Sequence, residues 1–183
     1  MTTAERKLRL AQLLLQTEDE ATLQVIEETL ESQQQQIGQY WAIIDALDWD
    51  KEGDDDVVMA PAIQLLSEQE EHVILDFYDW FARQLYRLDG EAYADASVEE
   101  GEHFSSDLFL YARCAVLANG RTYYERVKAN PADFPKDLFF EFLLRLPDLA
   151  YKRKTGTELP RPSKYIYETG FNRDGWGDKA IVL

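Results

Sequence analysis

One cysteine, Cys114, is all the thiol in this chain of 183 residues. A lone sulfur cannot close an internal disulfide, so packing must hold the fold, and such cysteine usage points to the cytoplasm. Long apolar runs are missing as well. No segment nears the ~20 apolar residues of a membrane helix, and residues 1–15 alternate charge with leucine where a signal peptide needs an apolar stretch and a small-residue cleavage site. No membrane partner is expected. The only histidines, His72 and His103, have no neighbour at metal-ligand spacing, and no phosphate loop, dinucleotide fingerprint or zinc pattern occurs, so neither metal nor cofactor is expected. Bases are scarce: 19 Lys and Arg stand against 35 Asp and Glu, a net charge of −16. Residues 1–120 carry 7 bases and 26 acids, a net of −19, whereas residues 121–183 carry 12 and 9, a net of +3. That field repels phosphate backbones and anionic lipids, which argues against nucleic acid and favours a basic protein as partner.

What is present is apolar and aromatic: 45% of residues are hydrophobic and 13% aromatic. A chain this long buries about two-thirds of its unfolded surface in one domain. The apolar residues recur at helical spacing. Leu8, Leu10 and Leu13 to Leu15 mark a first helix. Thr17 and Glu20 form a capping box for a second, which runs to about Leu30. The polar run Gln33–Gln36 reads as a linker. Ile37, Tyr40, Trp41, Ile44 and Leu47 stripe a third helix, and one follows over about 57–66. Ser67 and Glu70 cap the longest, 68–88, with Ile74, Phe77, Phe81 and Leu85 inward. Ser105 to Asp107 cap the most apolar helix, 108–118, which Asn119-Gly120 stops. Residues 122–128 form another, and 136–153 the last, which Pro147 should kink or divide. Residues 155–183 show no helical period but hold Tyr165, Tyr167, Phe171 and Trp176, so they should pack on the helices as extended segments and turns. The expectation is an all-α fold of about seven or eight helices, organised as an N-terminal hairpin appendage (1–36), a helical core (37–154) and an irregular C-terminal tail (155–183).

Tyr40-Trp41-Ala42-Ile43-Ile44-Asp45 is similar to the F-W-x-x-I-[DE] opening of an uncharacterised bacterial family, domain of unknown function 4240. Leu66-Ser67-Glu68-Gln69-Glu70-Glu71 leading to Phe77 and Phe81 resembles that family's next helix. Ser106 to Arg113, then Asn119-Gly120-Arg121-Thr122-Tyr123-Tyr124 and Asn130-Pro131, resemble its later signature. The resemblance spans about residues 38–140 and implies an all-helical domain without implying an activity. The loop Val98-Glu99-Glu100-Gly101-Glu102-His103 departs from the family pattern. The N-terminal hairpin, with Glu18-Asp19-Glu20 at its turn, resembles short helical segments of bacterial antitoxin-like chains.

Few residues carry chemistry. Asp48 to Gly53 matches the first half of a calcium loop, but the twelfth position, where a bidentate Glu belongs, is Met59. Arg113 sits inside an apolar helix. It is either an anion receptor or one end of an ion pair to another helix, through Asp45, Asp76, Asp79 or Glu141. Asp107 lies six residues earlier and faces elsewhere. Arg121 either caps the preceding helix or lines a groove with Tyr124. His103 near Ser105, Ser106 and Asp107 lacks a nucleophile elbow. Cys114 reads as a small core residue. Lys152, Arg153, Lys154, Arg161 and Lys164 form the one basic patch, facing either the chain's own acids or an anion. Two functions remain: an acidic interaction module of immunity or antitoxin type that binds a basic partner, or an enzyme or small-molecule sensor with a ligand pocket around Asp107, Arg113, Arg121 and Tyr124.

Overall fold

A computed structural model describes residues 2–99, 101 and 103–181. Glu100 and Glu102 of the divergent loop therefore lie outside the described residues, as does Met1. The described residues form nine α-helices and no strand. These are α1 (Thr3–Gln16), α2 (Glu20–Ile44), α3 (Asp55–Ser67), α4 (Glu71–Arg87), α5 (Glu91–Ala96), α6 (Ser106–Ala118), α7 (Gly120–Ala129), α8 (Leu146–Thr155) and α9 (Arg173–Trp176). Short 3-10 turns stand at Trp49–Lys51, Pro131–Asp133, Glu141–Arg145 and Gly177–Lys179. The fold is all-α, as the periodicity predicts.

Three local expectations are corrected. First, α2 runs unbroken through Gln33–Gln36, since glutamine is a good helix former and nothing there ends a helix. Second, neither expected capping box forms. The Thr17 hydroxyl donates back to Leu13 O at 2.8 Å and that of Ser67 to Gln64 O at 2.8 Å, so each closes the helix before it. Asp19 instead accepts from Thr22 N at 2.9 Å at the start of α2. Third, the last long helix begins only at Leu146, with Pro147 in its first turn, where a missing N–H costs nothing. Residues 135–140 are irregular, which leaves Leu138 and Phe139 40% and 44% exposed.

The chain divides into two units, residues 1–40 and 41–183, and the division falls within α2. The first unit is helical. In the second, α8 lies against α3 and α4, while α6 packs on α4, α7 and the 3-10 turn at 141–145. The α4 stripe Phe77, Phe81, Leu85 and Leu88 is fully buried at i, i+4, i+8, i+11. Trp41 meets Trp80 edge to face, with ring centroids 5.1 Å apart. The tail crosses this body. Gly90 and Gly175 lie backbone to backbone there, and a Cβ on Gly175 would stand 2.3 Å from Asp89 O.

Candidate functional site

The most tightly built polar cluster is where the tail meets α4 and α6. Phe81, Leu85 and Asp89 follow one another at i+4 on α4 and its end, so Asp89 continues the buried row, and it is 0% exposed. Its carboxylate accepts from Gly170 N at 3.0 and 3.1 Å, Asn172 N at 2.9 Å and the Trp176 indole N–H at 2.8 Å. Arg113 Nη1 of α6 stands 3.8 Å away. Arg113 is also fully buried. It donates to Leu85 O at 3.1 Å, Tyr167 O at 3.0 Å and Thr169 Oγ1 at 2.9 Å, and lies over the Phe109 ring at 4.7 Å. Burial pushes the guanidinium pKa down and Asp89 opposes that. A second clamp lies at Asp79, which accepts from Arg161 at 3.0 and 2.8 Å and from Lys164 N at 2.9 Å, and pairs with Lys164 Nζ at 2.8 Å. Burial would raise the Asp79 pKa, but the bonds from Arg161 and Lys164 outweigh it and hold the carboxyl at about 2. Both clusters bind mainly the chain itself, although the buried Nε of Arg113 has no hydrogen-bond partner among the described residues.

The residues singled out in the sequence are scattered. Arg113 and Tyr124 are enclosed, and Tyr124 donates to Gln84 O at 3.0 Å. Asp107 and Arg121 are exposed. None of the four lines the three hollows described below. The acid opposite Arg113 is Asp89 and none of Asp45, Asp76, Asp79 or Glu141. Sequence reasoning passed over Asp89, although the i+4 register from Phe81 and Leu85 was there to place it inward. Arg161 and Lys164 of the basic patch face the chain's own Asp79. Cys114 is buried, and burial pushes its thiol up to about 12, so it stays protonated and is no nucleophile. No hydrogen bond joins His103 to Ser105, Ser106 or Asp107. Among the described residues no group of three or more His, Cys, Asp or Glu is placed to hold a metal ion.

Open concave surface elsewhere on the 41–183 unit includes three hollows. The first, about 310 Å³, is lined by Trp49, Glu52, Asp55 and Phe139 among others. The second, about 70 Å³, takes in Phe139, Leu108, His103 and Phe104. The third, about 460 Å³, takes in Phe104, Trp176, Glu91, Asp95, Glu99 and Lys179. Phe139 joins the first to the second, and Phe104 and Val98 join the second to the third. Trp49, Phe104, Leu108 and Phe139 along this line are each 41–48% exposed. Lys179 is paired with Glu91, and Lys136 Nζ lies 2.9 Å from Glu99.

Among the described residues no helix is long and apolar enough to cross a membrane. No curated protein and no solved structure matches the chain. The family described as protein of unknown function (DUF4240) matches residues 36–153, well over half of the chain, and the chain belongs to that family. Most of the 1–40 unit and the whole tail lie outside the matched residues.

Proposed function

We propose that this member of the family is a protein-interaction module whose acidic face binds a basic partner, as an immunity or antitoxin-like protein does. One observation carries the reading: a continuous row of exposed aromatic and aliphatic side chains, Trp49, Phe139, Leu108 and Phe104, is edged by Glu52, Asp55, Glu91, Asp95 and Glu99. Recognition surfaces combine an apolar centre, which supplies affinity once water leaves it, with a charged edge, which steers the partner and sets its register. Contiguous exposed apolar surface of this kind is uncommon on a face without a partner. The chain's own lysines support the chemistry: Lys136 and Lys179 both rest on carboxylates of this face. A partner bearing Lys or Arg beside apolar residues matches both parts.

The test is binding of a fluorescent peptide of alternating lysine and leucine to the full chain. Affinity should fall about tenfold or more for the pair Phe104→Ser and Phe139→Ser, the loss expected from exposing two large apolar contacts. It should fall similarly for Glu91→Gln with Asp95→Asn and Glu99→Gln, and weaken steadily with salt. Neutralising Glu68, Glu158 and Glu168 should leave it unchanged. Equal losses for both sets of acids would mean diffuse charge attraction with no site and would end the proposal.

A further inference from the structure

The 1–40 unit leaves many of its apolar residues in water. Leu8, Leu10, Leu13, Leu14 and Leu15 of α1 are 38–86% exposed, and Val25 and Leu30 of α2 are 61% and 52% exposed. An isolated helix of 14 residues is marginal in water, so a helix like α1 is ordinarily held by burial of its apolar face. Scattered exposed leucines need no explanation, but Leu10, Leu13 and Leu14, at i, i+3 and i+4, share one face of α1 and form a patch.

The charges say what would cover it. Helix α1 carries Arg6, Lys7 and Arg9 against the single acid Glu5. Helix α2 from Glu20 to Ile44 carries Glu20, Glu27, Glu28 and Glu31 with no Lys or Arg at all. One helix is basic and leucine-rich, and the other is acidic with exposed aliphatics. A surface holding both halves of a complementary pair is self-complementary under a two-fold axis, because each copy offers the other what it needs. The field of the whole chain, net −16, opposes association of two copies, so a local basic segment is what makes a contact between them feasible.

We propose that residues 2–31 form a homodimerisation element, with the basic, leucine-bearing α1 of one copy laid against the acidic α2 of a second. The leucines are buried between the two hairpins, and Arg6, Lys7 and Arg9 face Glu27, Glu28 and Glu31 across the interface. This contact is separate from the acidic face of the 41–183 unit, and neither reading depends on the other.

Sedimentation velocity on the full chain over a concentration series tests it. The natural chain should sediment as a dimer. Reversing α1 with Arg6→Glu, Lys7→Glu and Arg9→Glu should give monomer, and adding Glu27→Lys, Glu28→Lys and Glu31→Lys to that chain should restore the dimer. Leu13→Ser with Leu14→Ser should raise the dissociation constant by roughly a hundredfold, as two exposed leucines imply. Near-ultraviolet circular dichroism, which reads the tryptophans, all of them outside the element, would verify that each variant keeps its folded body. A natural chain that is monomeric at every concentration, or a doubly reversed chain that folds but stays monomeric, would overturn the proposal.

Discussion

Asp89 holds three N–H groups of the tail and stands beside a fully buried guanidinium. Removing it strands Arg113 as an uncompensated charge in a dry interior. The expected cost of Asp89→Ala is about 3–5 kcal/mol, the usual penalty for breaking a buried pair on one side. Urea unfolding would read this as a lower midpoint at unchanged slope. Asp89→Asn should recover only part, since the amide keeps an acceptor but not the charge. Two buried ions in one cluster are weak evidence for stability by themselves. Their weight here comes from the backbone groups they bind, which tie Leu85, Tyr167, Gly170 and Asn172 into one arrangement. At this scale the sequence was half legible. An arginine inside an apolar helix announces a buried partner, but the true one, Asp89, is none of Asp45, Asp76, Asp79 and Glu141. A buried acid is recognised by its register with Phe81 and Leu85, which Asp89 continues one step past the end of α4.

Among the elements, the tail is the one whose place depends on charge. Its first clamp, Asp79 with Arg161 and Lys164, holds the carboxyl at about 2 despite its burial. A carboxyl depressed on folding adds stability that is complete above its unfolded pKa of about 4 and is lost as the pH falls through that value toward about 2. The natural chain should therefore lose stability on acidification in that interval. Asp79→Asn should be weaker at neutral pH and show a shallower loss, which urea midpoints measured from pH 7 down to pH 2 would compare. Helices were the legible elements, because stripes such as Phe77, Phe81 and Leu85 report their own period. Boundaries were harder to read: the hydroxyls of Thr17 and Ser67 can cap forward or close backward, and only the surrounding packing decides. The run 135–145 misled because leucine and phenylalanine at helical spacing stood just before Pro147, and the proline takes a first-turn position that leaves them outside the helix.

For the molecule as a whole, the family match and the folded body do not end together. The matched residues stop at 153, yet Asp79, Asp89 and Arg113, all inside the match, find partners between 161 and 176. A chain cut after residue 155 keeps every matched residue but leaves three ionised side chains facing an uncovered core. It should lose most of its cooperative unfolding transition, as followed by circular dichroism during heating. The tail's contribution was foreseen from its aromatics, and the rings do pack: Tyr165 on Tyr86 at 5.7 Å and Trp176 near Phe109 at 6.3 Å. Its electrostatic share was not foreseen, because which backbone N–H meets which carboxylate is decided by irregular chain that has no period to read. The same arrangement sets a timetable for synthesis. A ribosome finishes all the long helices before it makes Tyr167, Thr169, Gly170 or Trp176, so Arg113 and Asp89 must wait, hydrated, while the nascent chain lengthens. The drying of that pair can begin only when the segment that closes over them has left the exit tunnel.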